Sequence, residues 1–91
     1  MNFDITTKEW QQVTELTDNT TYVLQTKTVS TGYGITAYGN TDILFVQNAT
    51  EPTDNKTGFL GNGFKFKKVT GVNIYIKATS VPVNIEIQEV Q

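Results

Sequence analysis

Apolar and polar residues alternate along much of the chain after Thr20, and this pattern predicts a protein built of β-strands. Successive side chains of a strand point to opposite faces of a sheet, so an apolar residue at every second position indicates a strand with one buried face. The clearest case is VPVNIEIQEV, residues 81–90. Its predicted inward residues are Val81, Val83, Ile85 and Ile87, and its predicted water-facing residues are Asn84, Glu86 and Gln88. Strands of period two are also predicted at 20–28, 33–39, 64–68 and 71–79.

One further segment, DILFVQN at residues 42–48, is apolar at four successive positions. Such a run suits a central strand that is covered on both faces. The six strands are separated by turns rich in Gly, Asn, Asp and Thr, so a twisted antiparallel sheet would hide its apolar face by folding into two layers. The sequence therefore predicts an all-β protein: an antiparallel β-sandwich or flattened, jelly-roll-like barrel of six to eight strands.

The N-terminal residues precede the strands predicted from the alternation. Residues 1–9 are predicted to be an arm that precedes a single domain over residues 10–91. Thr6 and Glu9 have the spacing of a helix capping box, so one short helix could begin there. The alternative is an extended arm that enters the first strand near Trp10.

A long turn-rich stretch, VQNATEPTDNKTGFLGNG at residues 46–63, lies between two predicted strands. Because the layers of a sandwich are about 10 Å apart, a chain that crosses between them needs such length. We therefore expect a connector between the sheets, with Phe59 and Leu60 folded back onto the core. The alternative is a loop that also binds a ligand.

Composition limits both the core and the chemistry of the chain. Only 37% of its 91 residues are hydrophobic, and it contains no Cys or His, so subunit contacts are the remaining route to extra stability. Without these residues the usual nucleophiles, general bases and zinc ligands are missing, and no reactive motif appears. We expect no enzyme activity, no catalytic residues, no metal site and no cofactor.

The charge and the apolar runs exclude two classes of partner. Seven Lys, no Arg and a net charge of −2 provide no basic field for nucleic acid. The longest apolar run, ILFV, is far shorter than the roughly 20 residues of a membrane span, and no signal peptide follows Met1. We expect a soluble protein made in the cytoplasm, with no nucleic-acid or membrane partner.

Aromatic residues provide the candidate binding surfaces. Exposed aromatic rings stack on sugars or on a partner subunit, and Tyr33, Tyr38 and Tyr75 are the candidates for such a surface. The alternative is that tyrosines cap the edge of a small core. Trp10 and Val13 are the candidate subunit interface.

The order EWQQV, TYVLQ, ILFVQNATEP, GFLGNG, VNIYIKA and VNIEIQEV resembles that of small β-sandwich virion proteins of tailed bacteriophages. The resemblance covers most of residues 10–90 and rests on strand patterns without any reactive residue. The segment TVSTGYGITAYGNT, residues 28–41, is longer than that pattern and indicates an extra hairpin.

The resemblance implies an architectural function. Such a protein would be located in the virion and would bind the major capsid protein or another virion protein as a decoration or head-fibre component. It would act as a homo-oligomer, with a trimer favoured. The alternative is a glycan- or receptor-binding module of a phage tail appendage.

Overall fold

The computed structural model describes residues 1–32, 34–54 and 56–90, with backbone only at 31, 32 and 35–38. Nine strands are present in the described part of the chain. They are β1 (Asn2–Ile5), β2 (Gln11–Val13), β3 (Thr20–Gly32), β4 (Ile35–Gly39), β5 (Ile43–Asn48), β6 (Phe59–Gly61), β7 (Gly63–Lys68), β8 (Asn73–Ala78) and β9 (Val83–Glu89).

The strands form two antiparallel sheets, which confirms the predicted all-β sandwich. The first sheet has the order β1-β9-β3, and the far edge of β3 pairs first with β7 and then with β4. The second sheet has the order β2-β8-β5-β6. β7 and β4 pair with successive parts of the same edge of β3, so together they take the place of one edge strand. Each sheet is therefore four strands wide, and the sandwich corresponds to eight strands. The sheets do not close into a barrel.

The core lies between the two sheets and follows the predicted alternation. β9 shows this most directly, because its inward residues are buried and its outward residues are partly or fully exposed. All six strands predicted from the sequence are present. The fully buried apolar side chains of the core are Ile5, Leu24, Ile43, Ile74, Ile76, Val83, Ile85 and Ile87.

The N-terminal residues belong to the sandwich. Residues 2–5 form β1, which pairs with β9, and Ile5 is fully buried in the core. Neither a helix nor a separate arm is present over residues 1–9, and β2 begins at Gln11, directly after Trp10. Of the two alternatives for this region, the extended one is closer to the structure.

The long turn-rich stretch after β5 is not the predicted connection between the sheets. β5 and β6 lie in the same sheet, so the long loop at residues 49–58 does not cross between layers. In this part of the chain the passage from the second sheet to the first occurs at Asn62, the single residue between β6 and β7. Its carbonyl accepts hydrogen bonds from the Thr26 backbone N–H (3.0 Å) and from the Thr26 hydroxyl (3.3 Å). The chain can turn here within one residue because β6 and β7 lie one above the other at the same side of the sandwich.

The described residues include no helix, and so none that is long and apolar enough to span a membrane.

Candidate functional site

An apolar groove of about 680 Å³ lies between the edge strands β6 and β7. We call it the β6–β7 groove. It lies at the side of the sandwich where β6 and β7 form the edges of the two sheets. The space between the sheets, which the core fills elsewhere, is open to solvent here. Its apolar lining consists of Phe45, Phe59, Leu60, Phe64, Phe66 and Val69.

Aromatic rings form the floor of the groove. The ring of Phe45 packs edge-on against Phe64, with centroids 4.6 Å apart, and lies tilted against Phe66 at 5.0 Å. Phe66 also stacks on Tyr22 at 5.7 Å. Such contacts hold aromatic side chains in fixed positions, so the floor is a preformed apolar surface.

The rim of the groove exposes two large apolar side chains. Phe59 is 75% exposed and Leu60 is 61% exposed, so the prediction that they fold back onto the core is wrong. The reason is their place in the sheet. They belong to a three-residue edge strand that pairs only with β5 among the described residues, and no strand lies beyond it to cover them.

The outer rim of the groove carries positive charge. Lys65 and Lys67 are exposed on β7, and neither makes an ion pair with any residue that the structure describes. The neighbouring Lys68 differs, because its ammonium bonds the Asp18 carboxylate at 2.6 Å and lowers the pKa of that carboxyl. None of the described residues that line the groove has a carboxylate side chain.

The predicted subunit interface is largely internal. Val13 is only 6% exposed and packs in the core of its own chain, so its assignment to an interface is wrong. Trp10 is partly buried, and its indole N–H donates to the carbonyl of Asp54 at 2.7 Å. The Trp10 side chain therefore ties the start of β2 to the β5–β6 loop.

The predicted tyrosine surface is not brought together in the described residues. Tyr75 is 5% exposed, which contradicts its assignment to an outward binding surface. It lies opposite Val46, itself buried, and its hydroxyl accepts a bond from the Asn73 side chain (3.4 Å). Tyr38 lies in β4, where only its backbone is described, and Tyr33 lies outside the described residues.

The β5–β6 loop folds over the outer face of the second sheet, which explains the burial of Val46. Gly58 lies so close to Val46 that a Cβ there would be 2.6 Å from the Val46 Cγ2. Asn73 donates to the carbonyl of Ala49 at 3.2 Å, at the other end of the loop. The loop is therefore a cover that hydrogen bonds help to hold in place.

Asp54 organises the centre of this loop. Its carboxylate accepts from the Thr57 hydroxyl (2.6 Å) and from the backbone N–H groups of Lys56 (2.8 Å) and Thr57 (2.7 Å). These bonds favour the charged form and hold the pKa of Asp54 below its ordinary value, with the Thr57 hydroxyl as the largest cause. No group of three or more acidic, His or Cys side chains that could hold a metal occurs in residues 1–32, 34–54 and 56–90.

We expect Thr57→Val to raise the pKa of Asp54, because the substitution removes the strongest of its three hydrogen bonds. A depressed pKa contributes stability that is present above the unfolded pKa, near 3.8, and is lost as the pH falls through the lower folded value. The variant should therefore lose part of the acid-dependent stability of this loop. NMR titration of the Asp54 carboxyl measures the shift, with Thr53→Val as the control. An unchanged Asp54 pKa in Thr57→Val would contradict the assignment.

The sequence contained one signal for the groove that its interpretation missed. Phe59 and Leu60 stand between Gly58 and Gly61, too short a run to be a buried strand of the predicted kind. Two large apolar residues isolated between glycines at a sheet edge are candidates for an exposed patch.

Comparison of the chain with protein-family models, with curated proteins and with solved structures found no match. The resemblance to phage virion proteins therefore rests on the order of strand patterns in the sequence.

Proposed function

We propose that this protein is a non-enzymatic structural protein of a tailed-phage virion. It binds the capsid surface as a decoration or head-fibre component, and it acts through homo-oligomerisation, with a trimer favoured. The proposal combines the resemblance in strand order with the β-sandwich fold. Its location is then the virion, after synthesis in the host cytoplasm.

The observation that carries the proposal is the exposure of Phe59 and Leu60 beside the aromatic floor of the β6–β7 groove. Exposed apolar patches on small soluble domains mark surfaces that associate with other proteins. At about 25 cal/mol per Å² of apolar surface, covering such a patch favours association. A repeated surface protein needs only modest affinity per copy, because many copies act together on a lattice.

The glycan-binding alternative has less support. It depended on three tyrosines, and Tyr75 is buried. The exposed rings of the groove belong to phenylalanine, which lacks the hydrogen-bonding hydroxyl of tyrosine.

Co-sedimentation tests the proposal. We expect the protein to sediment with capsids of the phage that encodes it, and Phe59→Ser/Leu60→Ser to reduce the bound fraction at least tenfold. The substitutions should change the free energy of unfolding by no more than about 0.5 kcal/mol, because both side chains are already mostly in water.

The matched control is Glu51→Ser/Thr53→Ser, which changes two exposed positions of the neighbouring loop. It should sediment like the unchanged protein. A protein that did not sediment with capsids but was retained on a glycan array would instead favour the receptor-binding alternative.

A further inference from the structure

The sandwich has two open sides, and each offers a groove between two edge strands. At one side lies the β6–β7 groove. At the other side, β1 and β2 flank a smaller groove of about 330 Å³, lined from Met1 to Phe3 and from Gln11 to Glu15. We call it the β1–β2 groove. Within the described residues β1, β2, β6 and β7 each pair with one neighbour, so each has a free edge.

The directions of the strands make the two sides complementary. Each sheet is four strands wide and every pair in it is antiparallel, so the strands at its two edges run in opposite directions. In the first sheet these are β1 and β7, and in the second they are β2 and β6. A second copy placed beside the first in the same orientation would therefore meet it antiparallel in both layers.

The hydrogen-bonding pattern of β1 and β7 is also compatible. Met1 and Ile87 are a hydrogen-bonded pair of the β1–β9 ladder, since the Ile87 N–H donates to the Met1 carbonyl at 2.9 Å. Bonded pairs alternate in an antiparallel ladder, so the backbone groups of Asn2 and Asp4 point to the free edge. On the β3–β7 ladder the Thr26 N–H donates to the Asn62 carbonyl, so this pair is hydrogen-bonded. Because bonded pairs alternate, the backbone groups of Lys65 and Lys67 point away from β3, to the free edge of β7.

The side chains on the two edges differ in charge: Lys65 and Lys67 are positive, whereas Asp4 is negative and Asn2 is neutral. Asn2 and Asp4 lie on the outer face of the first sheet, since Phe3 and Ile5 point inward opposite Ile85 and Val83. Lys65 and Lys67 lie on the same outer face, because the intervening Phe64 and Phe66 point inward. One antiparallel register places Asp4 opposite Lys65 and Asn2 opposite Lys67. The same register places Phe3 opposite Phe66.

We propose that a second copy of this chain occupies the β6–β7 groove by adding its β1 to β7, with Asp4 of one copy opposite Lys65 of the other. The inference rests on the proposed self-association and names its surfaces. The association is head to tail, and it closes into a ring when the rotation per copy allows.

Charge favours this arrangement over a symmetric one. Pairing β7 with another β7 would bring lysines together, because Lys65 and Lys67 alternate along that edge. Lysines on an edge strand disfavour pairing with another basic strand, because like charges directly opposite each other are destabilising. They favour the β1 edge, because Asp4 would lie directly opposite Lys65 and opposite charges stabilise a cross-strand pair. The adjoining β2 of the added copy would lie beside β6 and cover the exposed Phe59.

Cysteine cross-linking tests the register, because the chain has no cysteine of its own. Directly opposite residues of a hydrogen-bonded antiparallel pair have Cα atoms about 5.5 Å apart, which a disulfide spans. We expect a mixture of Asp4→Cys and Lys65→Cys to form covalent dimers under mild oxidation, at least tenfold more than either variant alone. A chain carrying both substitutions should form covalent multimers that end at the size of the ring measured by light scattering.

The control mixture pairs Asp4→Cys with Lys56→Cys, an exposed lysine in the β5–β6 loop, and it should not cross-link. Circular dichroism verifies that each variant is folded. Dimers of a single variant would show a symmetric interface and overturn the inference, as would no cross-linking in any mixture. A protein that is monomeric alone yet sediments with capsids through Phe59 and Leu60 would show that a capsid segment occupies the groove. That result would overturn this inference and leave the proposed function standing, whereas failure of both assays would remove both.

Discussion

Ile85→Ala should lower the free energy of unfolding by about 2 to 5 kcal/mol, the usual cost of truncating a fully buried isoleucine. Ile85 is 0% exposed and lies in the middle of β9, opposite Phe3 on one side and Thr26 on the other. The cavity would be surrounded by two sheets whose backbone hydrogen bonds resist collapse, so the upper half of that range is expected. Urea denaturation followed by tryptophan fluorescence measures the change. Ile74→Ala, in the central strand β8 of the other sheet, should give a similar loss.

The control is Glu86→Ala, the next residue of the same strand. Glu86 faces outward and accepts hydrogen bonds from Asn2 (2.7 Å) and Gln88 (2.9 Å). These bonds lie at an exposed surface, so their loss should cost about 1 kcal/mol or less. Equal losses for Ile85→Ala and Glu86→Ala would contradict the assignment of inward and outward faces.

The long strands of this fold could be predicted because each contains enough residues to show a period of two. β3, β5, β7, β8 and β9 have six or more residues, and β4 has five. β1, β2 and β6 have three or four, too few to distinguish alternation from chance. Their positions are determined by partners far along the chain, as in the pairing of β1 with β9. The same limit explains why residues 1–9 resembled an arm.

The candidate site was harder to predict because its exposure depends on contacts that are distant in sequence. Tyr75 alternates with Ile74 and Ile76 and so was assigned to water, yet the β5–β6 loop covers that outer face. Phe59 and Leu60 were assigned to the core for their apolar character, yet their strand ends the sheet. In both cases the local pattern identifies the face of the sheet, whereas the presence or absence of a cover on that face depends on other parts of the chain.

Because the β5–β6 loop covers the second sheet through Gly58, the substitution Gly58→Ala is expected to have a second large effect on stability. We expect this substitution to destabilise the protein by about 2 to 4 kcal/mol. Gly58 has a φ of +116°, a backbone conformation that residues other than glycine rarely adopt. Holding an alanine in it costs about 1 to 3 kcal/mol. In addition, a Cβ would lie 2.6 Å from both the Phe45 carbonyl oxygen and the Val46 Cγ2, so the loop would have to move away from the sheet.

Two other glycines separate these contributions. Gly71 has a φ of +82° with nothing within 4 Å of a Cβ, so Gly71→Ala measures backbone strain alone, about 1 to 2 kcal/mol. Gly39 has no positive φ, and nothing lies within 4 Å of a Cβ added there. Gly39→Ala should therefore be neutral or stabilise the protein by up to about 1 kcal/mol. The expected order of destabilisation is therefore Gly58, Gly71, Gly39. If Gly58→Ala cost no more than Gly71→Ala in urea denaturation, the loop would not be packed against Val46, and the burial of Tyr75 would need another cause.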